Sequence, residues 1–209
     1  MTLHDQFGRI DIYLFDQLLR ANIRPGMRIL DAGCGDGRNL IYLFRQGYEV
    51  FAVDANPAAV AHVQHIAEQI APHLPASNFQ TATIESMPYP DAFADVVLCN
   101  SVLHFAANDA HFDAMVQSLW RTLRPGGLLF CRLASTIGSG PANGLVFTPI
   151  AVPNSTRHFR LPDGAEWYLV DEPILMNLTR TLGADLIDPL KTTVVQAHRS
   201  MTTWVLRKR

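Results

Sequence analysis

The sequence predicts an α/β fold built on a mostly parallel sheet. Three observations predict it. Short apolar runs alternate with stretches of helical periodicity, the signature of repeated strand–helix–strand units. The first apolar run leads directly into a glycine-rich turn, Gly33-Cys34-Gly35-Asp36-Gly37. The chain has 209 residues, 48% hydrophobic and 17% charged, which suits one domain with a sizeable core and excludes a disordered chain.

Taken in order, residues 7–21 read as an amphipathic helix carrying Ile10, Tyr13, Leu14 and Leu18. Residues 28–32 read as the first strand. Residues 37–46 read as a helix with Leu40, Ile41 and Phe44 on its buried face. The second strand is 49–53. A helix follows over 57–71, with Pro57 in its first turn and Asn56 placed to cap it. The third strand falls near 78–82 and the fourth at 95–99. The next helix spans about 109–122, where Met115 and Trp120 follow core spacing. The fifth strand is 127–133.

The alternation then stops. Residues 135–168 are rich in Gly, Pro, Ser and Asn, and Pro162-Asp163-Gly164 marks a turn between two short apolar runs. We read this stretch as an inserted loop and hairpin within a single domain spanning residues 1–209. Helical periodicity returns over 171–182. Two final β-rich runs, near 186–195 and 200–206, are expected to form an antiparallel ribbon at a sheet edge.

Composition narrows the function. The formal net charge of −2 offers no basic excess for a nucleic-acid backbone. No apolar run approaches the roughly 20 residues that span a bilayer. The first residues lack the pattern of a secretory signal, and the three cysteines, Cys34, Cys99 and Cys131, form no pairing motif. A cytoplasmic chain with reduced thiols is expected. His62 and His65 sit three apart on a helix but lack a matching third ligand, so they read as a solvated face and no metal site is expected. No hydrolase elbow or phosphate-binding P-loop occurs.

The chemistry concentrates at Asp31, Gly33, Gly35 and Gly37. Glycines admit positive φ and let a ligand approach the backbone. A dinucleotide fingerprint would need glycine at position 38, where arginine stands. An acid beside the turn would repel a pyrophosphate and favour a cationic ligand. The competing reading has Asp31 capping local N–H groups. Asp54 follows the turn at about 20 positions, the spacing of an acceptor for ribose hydroxyls. A helix-capping role competes there, although Asn56 is better placed for it.

Two further segments, Thr83-Ile84-Glu85-Ser86-Met87-Pro88 and Leu123-Arg124-Pro125-Gly126-Gly127, complete a pattern over about residues 26–133. With the turn and Asp54, this pattern resembles the class I S-adenosylmethionine-dependent methyltransferase superfamily, in the broad subgroup that includes quinone-biosynthesis and tellurite-resistance methyltransferases. The resemblance implies a three-layer Rossmann-like fold, with a seven-stranded, mostly parallel sheet and an antiparallel last strand. It implies S-adenosylmethionine as cofactor and a small-molecule acceptor. Gly33, Cys34 and Gly35 would line the methionine half, with Asp31 near its positive charge, and Asn39 would also contact the cofactor. Asp54 and Ala55 would hold the ribose, and Ile84 with Glu85 the adenine. Asn100 and Ser101 would flank the methionine or the methyl. Many relatives carry aspartate where this chain has Thr83.

Acceptor-side candidates come from position on the sheet's active edge. His104 could serve as general base; packing against the cofactor is the competing role. Arg132, and Arg160, Trp167 and Tyr168 from the insert, are candidate acceptor contacts, with Arg157 and His158 beside them. The insert would then cover the acceptor site, the alternative being a plain surface hairpin. Two other functions remain in play: a non-catalytic S-adenosylmethionine-binding protein acting through a partner, and a nicotinamide dehydrogenase, against which Arg38 and Asp31 argue.

Overall fold

Strands covered on both faces read as unbroken apolar runs, and the central strands here do so. The computed structural model describes residues 2–209. In β1 (Arg28–Ala32), Ile29 faces one layer and Leu30 the other; in β4 (Ala94–Asn100), Val96 and Leu98 alternate with Val97 and Cys99 in the same way. With β2 (Glu49–Asp54), β3 (Phe79–Thr81), β5 (Leu123–Ala134), β10 (Lys191–Val195) and β11 (Arg199–Lys208), they form one sheet in the order β10-β11-β5-β4-β1-β2-β3. β11 runs antiparallel to β5, and β1 through β5 pair in parallel. The fold is the expected Rossmann-like one. A short β9 (Ala184–Leu186) also pairs with β11, which brings the sheet to eight strands.

Strand order reverses at β1, whose neighbours are β2 on one side and β4 on the other. Ligands of open α/β sheets bind outside the carboxyl ends of the strands at such a point.

Helices cover both faces. α2 (Ile12–Leu19), α3 (Ile41–Arg45) and α4 (Pro57–Ile70) pack Leu14, Leu43, Phe44, Val60 and Val63 on one side. α5 (Asp109–Thr122) and α6 (Glu172–Thr181) pack Phe112, Met115, Leu119 and Leu175 on the other. Asn56 caps α4 by accepting from the Ala58 N–H. No helix among the described residues is long and apolar enough to cross a membrane.

Three boundaries differ from expectation, each for a local reason. The single N-terminal helix is two, α1 (Leu3–Phe7) and α2, because Gly8 takes φ 63° and Asp11 starts a new helix by capping the Tyr13 N–H. α3 begins at Ile41 rather than 37, because Gly35 and Gly37 hold left-handed φ. β5 begins at Leu123, with Arg124–Gly127 bulging out of register before pairing resumes at Leu128. The final ribbon forms, but its long strand lies inside the sheet, with β9 and β10 both on its outer flank.

The 135–168 segment folds as a small antiparallel sheet of β6 (Thr148–Pro149), β7 (His158–Arg160) and β8 (Glu166–Tyr168). Leu161 and Leu169 are buried in one cluster with Ala134 and Met201, and Phe159 and Trp167 pack against it. The insert therefore stands on the carboxyl end of β5.

Candidate functional site

After Ala32 the chain turns over the end of β2. The Gly33 and Cys34 N–H groups both donate to the Val53 carbonyl, at 2.8 and 3.0 Å. Gly33 has φ 88°, and a Cβ there would stand 2.4 Å from a Val102 methyl, so no side chain fits. At Gly35 the space that a Cβ would occupy is open, and the backbone is bare to a ligand.

Asp54 is held from both oxygens. Oδ2 accepts from the Gly35 N–H and Oδ1 from the Asn56 N–H, each at 2.9 Å. A carboxylate has about four acceptor positions, so two remain for a ligand. At the end of β4, Asn100 Oδ1 accepts from Arg38 Nη2 at 3.1 Å and from Ser101 Oγ at 2.9 Å. The Asn100 Nδ2 donor is buried and unpartnered among the described residues. Ser101 sits at φ 66°, uncommon for a residue with a side chain, and its N–H donates to the Arg132 carbonyl at 2.7 Å.

These groups surround a cavity of about 430 Å³ at the switch point. Gly33, Cys34, Gly35, Asn39, Asp54, Ala55, Ile84, Glu85, Asn100 and Ser101 all line it, so ten of the expected residues come together. Asp31 does not line it; its carboxyl lies beneath, 2% exposed. Burial, then the nearby Asp54 carboxylate, pushes the Asp31 carboxyl up to about 7 against the pull of Arg38. Burial and the Asp31 and Asp54 charges push the Cys34 thiol far up, so it is no nucleophile. At the far end, burial opposes ionisation of Glu85. A backbone N–H, Thr83 and His111 outweigh it and hold that carboxyl below the usual range. The His111 ring stands 3.3 Å from Glu85.

Residues 30–131 match the family described as a methyltransferase domain. Through this segment the chain is similar to S-adenosylmethionine-dependent methyltransferases, among them a probable one of Mycolicibacterium smegmatis, 27% identical over 165 residues. It is 28% identical over 140 residues to an uncharacterised methyltransferase of Synechocystis sp., covering 66% of this chain and 60% of that one. It is 37% identical over 119 residues to a malonyl-[acyl-carrier protein] O-methyltransferase of Enterobacter lignolyticus, covering 56% and 43%. The matched segment thus spans about half the length of these curated relatives. Among solved structures it resembles the 1,6-didemethyltoxoflavin-N1-methyltransferase of Burkholderia thailandensis, with a TM-score of 0.65 at 20% identity over 91% of this chain and 75% of that one. That likeness is one of fold.

A second cavity, about 320 Å³, adjoins the first and shares Arg38, Ser101 and Phe105 with it. His104, Arg132 and Trp167 line it, so three of the five acceptor-side candidates meet there. Arg160 and Tyr168 do not. Arg160 lies on the exposed hairpin, bound through Nε and Nη2 to Glu166. Tyr168 points to the opposite side of β8 and stacks on Phe112.

The base role expected of His104 meets an obstacle. Its Nδ1 accepts from the Ala134 N–H at 3.3 Å, which leaves Nε2 as the protonated nitrogen. Burial, helped by the Arg199 charge, lowers its pKa to about 4. The ring is therefore a neutral donor at pH 7, packed on Trp167 with centroids 4.3 Å apart.

Sequence reading missed Phe105, His111 and Arg199. His111 and Phe105 follow β4 closely, and their nearness to Asn100 was a usable signal. Arg199 had none, because only the pairing of β11 with β5 brings it to the cavity.

Proposed function

We propose that the protein is a cytoplasmic S-adenosylmethionine-dependent methyltransferase that acts on a small-molecule acceptor. The observation that carries this reading is the charge of the first cavity. Asp36, Asp54 and Glu85 line it and Asp31 lies beneath it. Such a site repels a pyrophosphate and suits a ligand with an ammonium and a sulfonium.

The residues present fit that cofactor. The spare acceptor positions on Asp54 suit two ribose hydroxyls. The orphan Asn100 Nδ2 and the Arg38 guanidinium suit the carboxylate of its amino-acid end. Ile84 and Met115 offer apolar faces for the adenine, with Thr83, Glu85 and His111 at its polar edge. When bound, the cofactor supplies a methyl group already activated by the sulfonium.

The chain's own part is to align the acceptor and exclude water. Ser101 and Phe105 stand where the two cavities meet, and the insert, through Trp167, walls the second. Among the described residues no carboxylate lines that second cavity, and His104 Nδ1 is engaged. The acceptor atom therefore gives its proton to water, which suits an acidic heteroatom. Cys99 and Cys131 sit side by side on β4 and β5 as free thiols, in keeping with a reducing compartment.

Isothermal titration with S-adenosylmethionine, S-adenosylhomocysteine and NAD tests the cofactor reading. Binding of the first two and not the third is expected. Binding of NAD alone would overturn it.

A further inference from the structure

The second cavity is basic, whereas acids outnumber cations around the first. Three guanidiniums line it, from Arg38, Arg132 and Arg199, together with His104, and no acid does so among the described residues. Their partners are incomplete. Arg132 pairs with Asp11 through Nη1 at 2.6 Å, yet its Nε is buried and unpartnered. Arg38 has a neutral partner, Asn100. The Arg199 side chain has no ion pair or hydrogen bond among the described residues. It lines the same cavity as His104, and its charge adds to burial in lowering the pKa of that ring.

Like charges gathered round one cavity repel, and the Arg132 Nε, buried without an acceptor, carries a desolvation cost. An anion relieves both. The rest of the lining sets its shape. Trp167, Phe105 and Met201 give flat or soft apolar faces, and Trp167 and Phe105 stand edge to face at 6.0 Å. A cavity of about 320 Å³ is at the small end of ligand pockets. Guanidiniums match carboxylates in geometry and stack on aromatic rings.

We infer that the second cavity binds a planar aromatic carboxylate, its acid group on Arg199 and the Arg132 Nε and its ring on Trp167. This deepens the proposed function, since that ligand would be the methyl acceptor. It rests on the cofactor reading only for that last step.

The experiment is binding, not turnover. The protein is saturated with S-adenosylhomocysteine and titrated with four probes: 4-hydroxybenzoate, 4-hydroxybenzamide, cyclohexanecarboxylate and inorganic phosphate. 4-Hydroxybenzoate is expected to bind at least about tenfold more tightly than the other three, the scale of one charge-assisted contact. Arg199→Gln should erase its advantage over the amide, Arg199→Lys should keep part of it, and neither should change S-adenosylhomocysteine affinity. Arg199 is the residue to change because Arg132 is the partner of the fully buried Asp11, and its loss would leave that carboxylate unpaired and threaten folding.

Equal binding of acid and amide overturns the inference, as does an advantage that survives Arg199→Gln. Phosphate or cyclohexanecarboxylate binding as tightly as the benzoate overturns the planar part. No binding by any probe overturns all of it. Should S-adenosylhomocysteine itself fail to bind, the proposed function falls. The same four titrations on the ligand-free protein then still judge the cavity.

Discussion

Two cavities meet at Ser101 and Phe105, and they differ in charge and in origin. The first is acidic and is built from the ends of β1, β2 and β4 with the turns that follow them. Its polar groups sit at strand ends and in the turns after them, where Asp54 holds Gly35 and Asn56, and Asn100 holds Ser101 and Arg38. The second is basic and draws on segments far apart in the chain, from Arg38 to Met201. The difference teaches that a cavity at the switch point of the sheet is lined by residues that end or follow readable strands. The other cavity is left to whatever the rest of the fold delivers.

The largest effect expected concerns Asp31. Its ordinary value is 3.8, and in the fold it titrates at about 7. Between those values the folded state keeps a proton that the unfolded state has lost. Stability therefore falls as pH rises through that window and levels off above it. Asp31→Asn removes this dependence, which over three pH units amounts to about 4 kcal/mol. The melting temperature of the variant relative to wild type should be higher at pH 8 than at pH 4.5. Wild-type affinity for S-adenosylmethionine should also rise about tenfold from pH 6 to 8, and the variant's should not. A flat wild-type profile would show that Asp31 does not face the ligand's charge.

Asp54→Ala comes next. Losing the ribose acceptor should weaken S-adenosylhomocysteine binding by about 1.5–3 kcal/mol. Because Asp54 also anchors Gly35 and Asn56, circular dichroism must show the variant folded. Unchanged affinity in a folded variant breaks the assignment of the acidic cavity to the cofactor.

Trp167→Ala probes the other side. It removes an aromatic face worth about 0.5–1.5 kcal/mol and should raise the acceptor KM several-fold with cofactor affinity unchanged. Damaged cofactor binding with intact acceptor kinetics would reverse the two cavities. The smallest effect belongs to Arg160→Ala. An exposed pair contributes about 0–1 kcal/mol, so both affinities and the melting temperature should stay near wild type. A marked loss of acceptor affinity would place the hairpin tip in the site after all.

The sequence by itself determined the sheet core and the acidic cavity. Period-two and period-3.6 patterns, Pro57 and Asn56 at a helix start, and a turn that only glycine can make are encoded within a few residues of where they act. The ten cavity residues became legible for that reason: each ends or follows a strand whose position was readable. The tertiary structure decided what depends on neighbours distant in sequence. It buried Asp31 beside Asp54, turned His104 into a donor by setting it under the Ala134 N–H, and directed Tyr168 away from Trp167 because alternate strand residues face opposite sides. It also paired β11 with β5 and thereby brought Arg199 to Arg132. No local pattern announces such a meeting, because burial and charge are properties of assembled surroundings rather than of a residue and its chain neighbours.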